Sequence, residues 1–165
     1  MAQPIETSSL ANDGIKMPGQ AASQQPPKES SKSIAVLPFV NMSAREDTEY
    51  FSDGMTEEII NALAKIKSLR VTSRTSSFFY KNRNIPVPQI GQELHVSTIL
   101  EGSIRLSGNK MRITAQLIDV AEDFHFWSET FDRSMDDIFA VQDEISLLIA
   151  DKLREHIGHF EIEEH

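Results

Sequence analysis

The acidic residues Asp53 and Glu57 stand out in the stretch TEYFSDGMTEEII at positions 48–60. Carboxylate oxygens are the ligands that calcium and magnesium prefer, so a divalent-cation site is one chemical interpretation. A calcium loop, however, needs oxygen ligands at alternating positions before a bidentate glutamate, and that spacing is missing here. Acidic side chains are also favoured in the first turn of a helix, where Ser52, Asp53 or Thr56 can serve as the N-cap. We therefore expect the start of a helix here and no metal site.

A candidate anion site is formed by Arg74, Thr75, Ser76 and Ser77, within a stretch at positions 59–92 that contains basic but no acidic residues. Hydroxyl groups and an arginine can hold a phosphate or carboxylate, and ligands often bind at the carboxyl ends of strands in open α/β sheets. In the alternative interpretation, Arg74 pairs with an acidic neighbour and the hydroxyl groups cap the next helical turn. The lack of a glycine-rich loop favours this alternative, while a small anion or nucleotide remains the candidate ligand.

Other catalytic and metal chemistry has little support in the sequence. Cysteine is absent, which excludes disulfides, thiolate metal sites and cysteine nucleophiles. His156 and His159 are three residues apart without a third converging ligand, and His125 stands between two phenylalanines on an expected strand. The chain contains no G-x-S-x-G nucleophile motif, P-loop or G-x-G-x-x-G motif. We expect no catalytic residues, no cofactor and no enzymatic activity.

The charge of the chain is distributed unevenly. The net charge is −9, and residues 119–165 contain 14 acidic side chains against three basic ones, whereas residues 33–118 carry a slight basic excess. The acidic balance argues against a nucleic-acid partner, because affinity for phosphate backbones comes mainly from Lys and Arg. Segregated charge steers encounters, so we expect a protein partner or self-association. The partner-facing residues would be Asp143, Glu144, Asp151 and Glu155.

Composition divides the chain into three parts. Residues 1–32 are rich in proline, serine and glutamine and contain no aromatic residue, which predicts a disordered arm or linker. Residues 33–157 form the expected domain, and residues 158–165 a flexible tail. No secretory signal and no apolar run of bilayer-spanning length is present, so a cytoplasmic protein is expected. A periplasmic location stays open if the sequence is a fragment of a longer chain.

The first half of the domain is expected to be strand, helix, strand. Residues 34–40 form an apolar run that suits a central strand, with Pro38 near its end. Apolar residues at helical spacing between Met55 and Ile66 predict an amphipathic helix, beginning between Thr48 and Thr56. A second short strand at positions 69–73 would then lie parallel to the first.

The second half is expected to contain a short helix, three strands and a long helix. Positions 76–80 suggest a helical turn with buried aromatics, and positions 86–95 a short helix. Alternation at positions 96–106 and 110–120 around Ser-Gly-Asn predicts a hairpin, followed by a strand at 124–131. Apolar residues predict the inner face of the final helix; these are Ile138, Val141, Ile145, Leu148, Ile149 and Leu153. Aromatic residues expected to cover or fill the core are Tyr50, Phe51, Trp127, Phe131 and Phe139.

The expected fold is a single α/β domain of mixed α+β type. Its sheet would be mixed, with about five strands and flanking helices, in the order β-α-β-α-β-β-β-α. Parallel pairing comes from the first crossover, and antiparallel pairing from the later hairpin.

Six strings in this order carry a family resemblance: SIAVLPFVNMS, EYFSDGMTEEIINALAKI, LRVTSRTSSFFYK, IGQELHVSTILEGSIR, RITAQLIDV and FWSETFDRSMDDIFAVQDEI. They resemble the TolB-like amino-terminal domain, which is related to the flagellar FlgO domain. The resemblance runs from about Ser33 to Leu153. It implies a module similar to the anticodon-binding-domain-like amino-terminal lobe of TolB.

The resemblance also implies a role. In bacterial proteins this module typically sits beside nucleotide cyclase domains, winged-helix regulators or kinases, and tetratricopeptide repeats, and the family supplies no catalytic residues to carry over. We therefore expect a non-enzymatic interaction or regulatory accessory module of a bacterial signalling or envelope-associated system. The alternative is a small-ligand sensor attached to a cyclase or a transcription regulator.

Overall fold

The computed structural model of the protein describes residues 32–43 and 45–164, so the arm expected at 1–32 lies almost wholly outside the described residues. Within these ranges the chain forms six strands and four helices. The strands are β1 (Ser33–Val36), β2 (Val40–Asn41), β3 (Arg70–Val71), β4 (Thr98–Ser107), β5 (Lys110–Asp119) and β6 (Phe124–Ser134). The helices are α1 (Glu46–Leu63), α2 (Arg74–Phe78), α3 (Val87–Leu94) and α4 (Ile138–Glu164).

The strands form one mixed sheet in the order β3-β1-β4-β5-β6. β1 lies between two parallel neighbours, with Ile34 opposite Val71 of β3 and Thr98 of β4. β4, β5 and β6 form an antiparallel meander, with a register shift in β5 between Leu117 and Ile118. β6 is an edge strand, because its only strand partner in the described ranges is β5. The predicted parallel crossover, the hairpin and the mixed fold class are confirmed.

The expected first strand is divided in two, which gives six strands where about five were predicted. β1 ends before Pro38, and β2 then pairs with β4 in parallel register. Between them, the Phe39 amide donates to Thr56 Oγ1 of α1 at 2.9 Å. The Phe39 ring is buried against Gly102 of β4, where a Cβ atom would lie 2.5 Å from that ring and 2.4 Å from the Thr114 carbonyl oxygen. A side chain at position 102 would therefore displace the buried ring.

Helix α1 begins earlier than predicted. Its first residue is Glu46, and its N-cap is Arg45, which makes no side-chain capping bond. Ser52 and Thr56 lie inside the helix, where their hydroxyl groups donate to the carbonyl oxygens of Thr48 and Ser52. The prediction that Ser52, Asp53 or Thr56 caps this helix is therefore wrong. Acidic residues in the first turn favour the earlier start because they complement the helix dipole.

The main core lies between one face of the sheet and the helices α1 and α4. Met55, Ile59 and Leu63 of α1 and Ile145 and Ile149 of α4 are fully buried there. Each such side chain contributes about 1.5–3 kcal/mol through burial. This core fixes the position of α4 and hence the direction of its outward side chains.

The opposite face of the sheet is covered only in part. A smaller apolar cluster that includes Ala35, Leu37, Ile90 and Ile99 lies beneath α3. Beyond it, β5 and β6 present polar pairs such as Arg112 with Asp132, whose side chains are exposed. Antiparallel sheets can leave one face in water in this way.

Helix α4 starts where the sequence indicates. Asp137 precedes it, and its Oδ1 atom accepts from the Ala140 amide at 3.1 Å. The helix continues to Glu164, through most of the segment expected to form a tail at 158–165. The flexibility of that segment stays a prediction.

Candidate functional site

The acidic residues considered as cation ligands are held by different basic side chains. Asp53 accepts from Lys81 Nζ at 2.8 and 2.9 Å, whereas Glu57 accepts from Arg74 Nε at 2.7 Å. Residues 32–43 and 45–164 contain no cluster of three or more His, Asp or Glu side chains that could hold a metal ion. Each carboxylate is therefore already paired with a base of its own, although the two lie one turn apart on α1.

Lys81 is the centre of a charge cluster between α1 and the loop after α2. Its ammonium group lies 2.5 Å from Glu49 and 2.8 Å from Asp53, one helical turn apart on α1. Burial by itself would lower the pKa of Lys81, but the hydrogen bonds that Lys81 donates to Asp53 and Glu49 outweigh this effect and raise it. The hydrogen bond from Lys81 in turn lowers the pKa of Glu49, with a further contribution from Asn41. The cluster fastens the loop to the first turns of α1.

The predicted anion-binding residues lie at the start of α2. Ser73 is the N-cap, and its Oγ atom accepts from the Ser76 amide at 3.3 Å. The Arg74 guanidinium binds Glu57 and lies 4.0 Å from the centroid of the Phe78 ring. Arg74 and Glu57 therefore realise the pairing that the sequence offered as the alternative to an anion site.

The other hydroxyl groups of this segment do not converge. Thr75 and Ser76 are exposed, whereas Ser77 is fully buried and its Oγ atom lacks a hydrogen-bond partner in the described part of the chain. An anion at this segment would have to share the Arg74 guanidinium with Glu57. Anion binding here stays a prediction.

The four acidic residues predicted to face a partner are all exposed on α4. Glu144 binds Arg133 of β6 at 2.7 and 2.9 Å, and this bond lowers the pKa of Glu144. Asp151 contacts Arg154 at 2.8 Å within the helix. Glu155 and Lys152 are 3.8 Å apart, and the Asp143 carboxylate has no cationic partner in the described part of the chain. The helix therefore presents carboxylates along its outer surface, three of them beside basic groups.

Large apolar side chains lie among these carboxylates. Phe139, Leu147 and Leu148 are 72%, 62% and 39% exposed. The prediction that Phe139 belongs to the core is wrong, and Leu148 lies at the border of the buried stripe, because Ile145 and Ile149 occupy the side that faces the sheet. We call the exposed side of α4, comprising Phe139, Asp143, Glu144, Leu147, Leu148, Asp151 and Glu155, the outer face of α4.

Two more predicted core aromatics point into solvent. Tyr50 is 71% exposed and Phe79 is 55% exposed, although their neighbours Phe51 and Tyr80 are buried. Successive residues of a helix point about 100° apart, so on α1 the burial of Phe51 leaves Tyr50 towards solvent. The expectation that Tyr50 covers the core and that all the aromatics at 76–80 are buried is therefore wrong.

A cleft that the sequence did not reveal lies at the carboxyl end of β1. It has a volume of about 370 Å³ and is lined by Leu37, Phe39, Glu49, Lys81, Arg83 and Glu101, among other residues. Ligands in α/β sheets often bind outside the carboxyl ends of the strands, and this volume is typical of a small-molecule site. Its lining comes from four separate parts of the chain, namely 37–41, Glu49, 80–90 and Glu101, so only the basic stretch around Lys81 and Arg83 hinted at it.

A profile of the HilA/YgeH-like transcriptional regulator, second domain, matches residues 30–148. The chain belongs to this family. The match includes every strand, α1 to α3 and the first part of α4. The HilA/YgeH-like domain therefore contains both the cleft and the beginning of the outer face of α4.

The HilA/YgeH-like domain is also similar to part of a longer protein. It is 46% identical over 143 residues to the protein named "Putative adenylate cyclase 3" of Rhizobium meliloti (strain 1021). The match covers 86% of this chain and 24% of the relative, so the chain spans about a quarter of that protein's length.

Solved structures of other bacterial proteins have the same fold. TolB from Acinetobacter baumannii matches with a TM-score of 0.53 and 14% identity, over 77% of this chain and 28% of that chain. The C-terminal domain of LpoB from Salmonella enterica matches with a TM-score of 0.51 and 16% identity, over 64% and 84%. The predicted similarity to TolB is confirmed at the level of the fold.

A third solved structure with this fold is the PelC dodecamer from Paraburkholderia phytofirmans. It matches with a TM-score of 0.52 and 17% identity, over 73% of this chain and 88% of that chain. At such identities the likeness concerns the fold. Among the described residues, no helix has the length and apolar character needed to cross a membrane.

Proposed function

We propose that this domain is a non-enzymatic protein-interaction or regulatory module of a bacterial signalling or envelope-associated system. The outer face of α4 is its contact surface. The observation that carries the proposal is the exposure of Phe139, Leu147 and Leu148 among carboxylates on a helix whose other side is anchored in the core.

The composition of this surface suits a protein partner. Large exposed apolar side chains surrounded by polar residues mark interaction sites more often than they mark ordinary surface. Aromatic and aliphatic side chains provide binding energy when they enter a pocket, and surrounding charges select and orient the partner. The outer face of α4 therefore favours a partner with an apolar pocket and a basic rim.

A second copy of the chain could supply part of that rim. The exposed basic residues Lys65 and Lys67 lie in the loop after α1, and Arg74 is the first residue of α2. Binding between unlike surfaces of identical chains is head-to-tail and can close into a ring. The similarity of fold to the PelC dodecamer supports self-association as one form of the proposal.

The comparisons support an accessory role. The chain corresponds to 24% of its Rhizobium relative, a share consistent with one module of a larger protein. We propose that the domain accompanies a cyclase or a transcription regulator, and that it neither performs catalysis nor binds nucleic acid itself. A cytoplasmic location, a relationship to the flagellar FlgO domain and an association with tetratricopeptide repeats belong to the same proposal.

Site-specific photo-crosslinking in the bacterium tests this function. A photo-reactive residue at position 147 is expected to trap a defined partner or a second copy, identified by mass spectrometry. The matched control is position 124, because Phe124 is also exposed but lies on β6. Purified partner should then bind the wild type more tightly than Leu147→Ser, and binding should weaken with salt. Equal crosslinks from both positions, or none from position 147, would contradict the proposal.

The anion-sensor alternative has a separate test. If Arg74, Thr75, Ser76 and Ser77 hold an anion or nucleotide, phosphate or ATP should raise the melting temperature of the wild type but not of Arg74→Ala. Arg70→Ala is a matched control, because Arg70 is exposed on β3 close in sequence but outside α2. Stabilisation that is absent, or that is unchanged in Arg74→Ala, excludes this alternative.

A further inference from the structure

The cleft at the carboxyl end of β1 has an unusual charge balance. Four charged side chains line it: Glu49, Lys81, Arg83 and Glu101. Lys81 is already paired, since its ammonium group contacts both Glu49, at 2.5 Å, and Asp53, and the three side chains together carry one net negative charge. Arg83 has no carboxylate partner and Glu101 has no cationic partner among the described residues. The cleft therefore offers one unmatched positive group and one unmatched negative group.

The guanidinium of Arg83 is held in a fixed orientation. Its Nε atom donates to the Phe79 carbonyl oxygen at 2.6 Å, and its plane lies 4.1 Å from the centroid of the Phe79 ring. These contacts leave the two terminal nitrogens available for a ligand. A pre-oriented guanidinium loses less conformational freedom when it binds a carboxylate.

The carboxylate of Glu101 is likewise positioned by the sheet. Glu101 is half-buried on β4, opposite Gln116 of β5, whose Nε2 atom donates to it at 3.3 Å. That single neutral donor leaves the negative charge uncompensated. A partly desolvated carboxylate favours a cationic ligand group more strongly than a fully solvated one does.

Apolar side chains complete the lining. Leu37 and Phe39 come from the segment after β1, Ile85 precedes α3, and Ile90 lies on α3. Small-molecule sites commonly combine such apolar walls with a few polar groups that fix the orientation of the ligand.

We propose that this cleft binds a small zwitterion of the amino-acid class, with its carboxylate on Arg83, its ammonium group on Glu101 and its carbon chain against Leu37 and Ile90. A simple anion would meet the unmatched charge of Glu101, and a simple cation that of Arg83. A ligand carrying both charges satisfies both groups, and it leaves the Lys81 cluster intact. This site is distinct from the anion segment at Arg74 and from the outer face of α4.

Thermal-shift and calorimetric binding measurements on the whole chain test the site. The probes are the free amino acids and 6-aminohexanoate, which provide short and long separations between the two charges. At least one probe should raise the melting temperature in a concentration-dependent manner. Derivatives of that probe with a blocked amino group or a blocked carboxylate should lose at least about tenfold in affinity. Each derivative leaves one charged side chain of the cleft unpaired.

Variants connect each ligand charge to its residue. Arg83→Gln and Glu101→Gln should each weaken binding about tenfold. The Arg83→Gln variant should also bind the probe and its carboxylate-blocked derivative with equal affinity. The Glu101→Gln variant should likewise bind the probe and its amino-blocked derivative with equal affinity. Arg105→Gln and Glu129→Gln are matched controls, since both residues are exposed and lie outside the cleft. Circular dichroism melting of each variant confirms that it is folded.

Three results would overturn the proposal. The first is that no zwitterionic probe binds, and the second is that the blocked counterparts bind as tightly as the parent compound. The third is that the control variants lose as much affinity as Arg83→Gln and Glu101→Gln. The outer face of α4 takes no part in these measurements, so their failure would leave the proposed interaction role standing.

Discussion

The ammonium group of Lys81 lies 2.8 Å from the carboxylate of Asp53, although 28 residues separate the two in the chain. Both side chains are only 26% exposed, so the contact is partly shielded from water. Together with Glu49, it joins α1 to the loop that forms one wall of the cleft. The shape of that wall therefore depends on a charge cluster as well as on apolar packing.

Replacement of Lys81 by methionine should destabilise the domain. The change keeps the length of the side chain but leaves the carboxylates of Glu49 and Asp53 facing each other without a counter-charge. We expect the free energy of unfolding to fall by about 1–2 kcal/mol, measured by urea denaturation. Lys65→Met is the control, because Lys65 is exposed on the surface and should change stability by less than about 0.5 kcal/mol. Equal losses in the two variants would contradict the role of the cluster.

The same cluster predicts a pH dependence. The bond from Lys81 holds the pKa of Glu49 below its ordinary value of 4.5. A carboxyl whose pKa is lowered by folding contributes stability above its unfolded pKa and loses it as the pH falls through its folded pKa. Stability should therefore decrease as the pH drops below about 4.5, and Lys81→Met should show a shallower decrease. Parallel stability curves for the two proteins would be inconsistent with this linkage.

Tyr80 provides a prediction at alkaline pH. Burial and a 2.5 Å hydrogen bond to Glu93 raise the pKa of Tyr80 to about 12. Because folding raises this pKa above its ordinary value of 10.0, its contribution to stability is present below pH 10.0 and is lost between there and about pH 12.

The titration can be observed directly. The chain contains two tyrosines, so Tyr50→Phe leaves Tyr80 as the single tyrosine. Its ionisation, followed by ultraviolet absorbance, should have a midpoint near pH 12, with circular dichroism recorded in parallel to monitor folding. A midpoint near pH 10.0 in a protein that is still folded would rule out the buried position of this hydroxyl group.

Substitution of Gly102 tests the packing of Phe39, the residue that lies between β1 and β2. A Cβ atom there would lie within 2.5 Å of both the Phe39 ring and the Thr114 carbonyl oxygen. We expect Gly102→Ala to lower the free energy of unfolding by about 2–3 kcal/mol, because a tightly packed core resists added volume. Ser103→Ala, one position along the same strand, is the matched control and should have a much smaller effect. A stable Gly102→Ala protein would show that the Phe39 ring is not confined as described.

Local patterns predicted most of the fold. The spacing of Met55 and Ile59 located α1, and the alternation around Ser-Gly-Asn at positions 107–109 located the hairpin of β4 and β5. Such periodicity follows from burial of one face, so it is visible in the sequence itself. The fate of adjacent aromatics was not visible, because Phe51 is buried and Tyr50 exposed through the rotation of a single helix.

The sites were less predictable than the fold. Arg74, Asp143 and Glu155 are exposed, but the pairing of Arg74 with Glu57 and that of Glu144 with Arg133 depend on elements that are distant in the chain. The sequence pattern does not connect Arg83 with Glu101, since only the folded sheet brings a loop residue and a strand residue to one cleft. A residue's type indicates the chemistry it can perform, while its neighbours are set by topology.

The edge position of β6 has a consequence for the behaviour of the protein at high concentration. Eleven residues, Phe124–Ser134, end the sheet with one side of their backbone free of any strand in the described ranges. Exposed edges act as templates for further strands, and charged side chains such as Glu129 and Asp132 oppose such growth. Removal of these charges by substitution should therefore allow the edge of β6 to pair with a strand of a second copy.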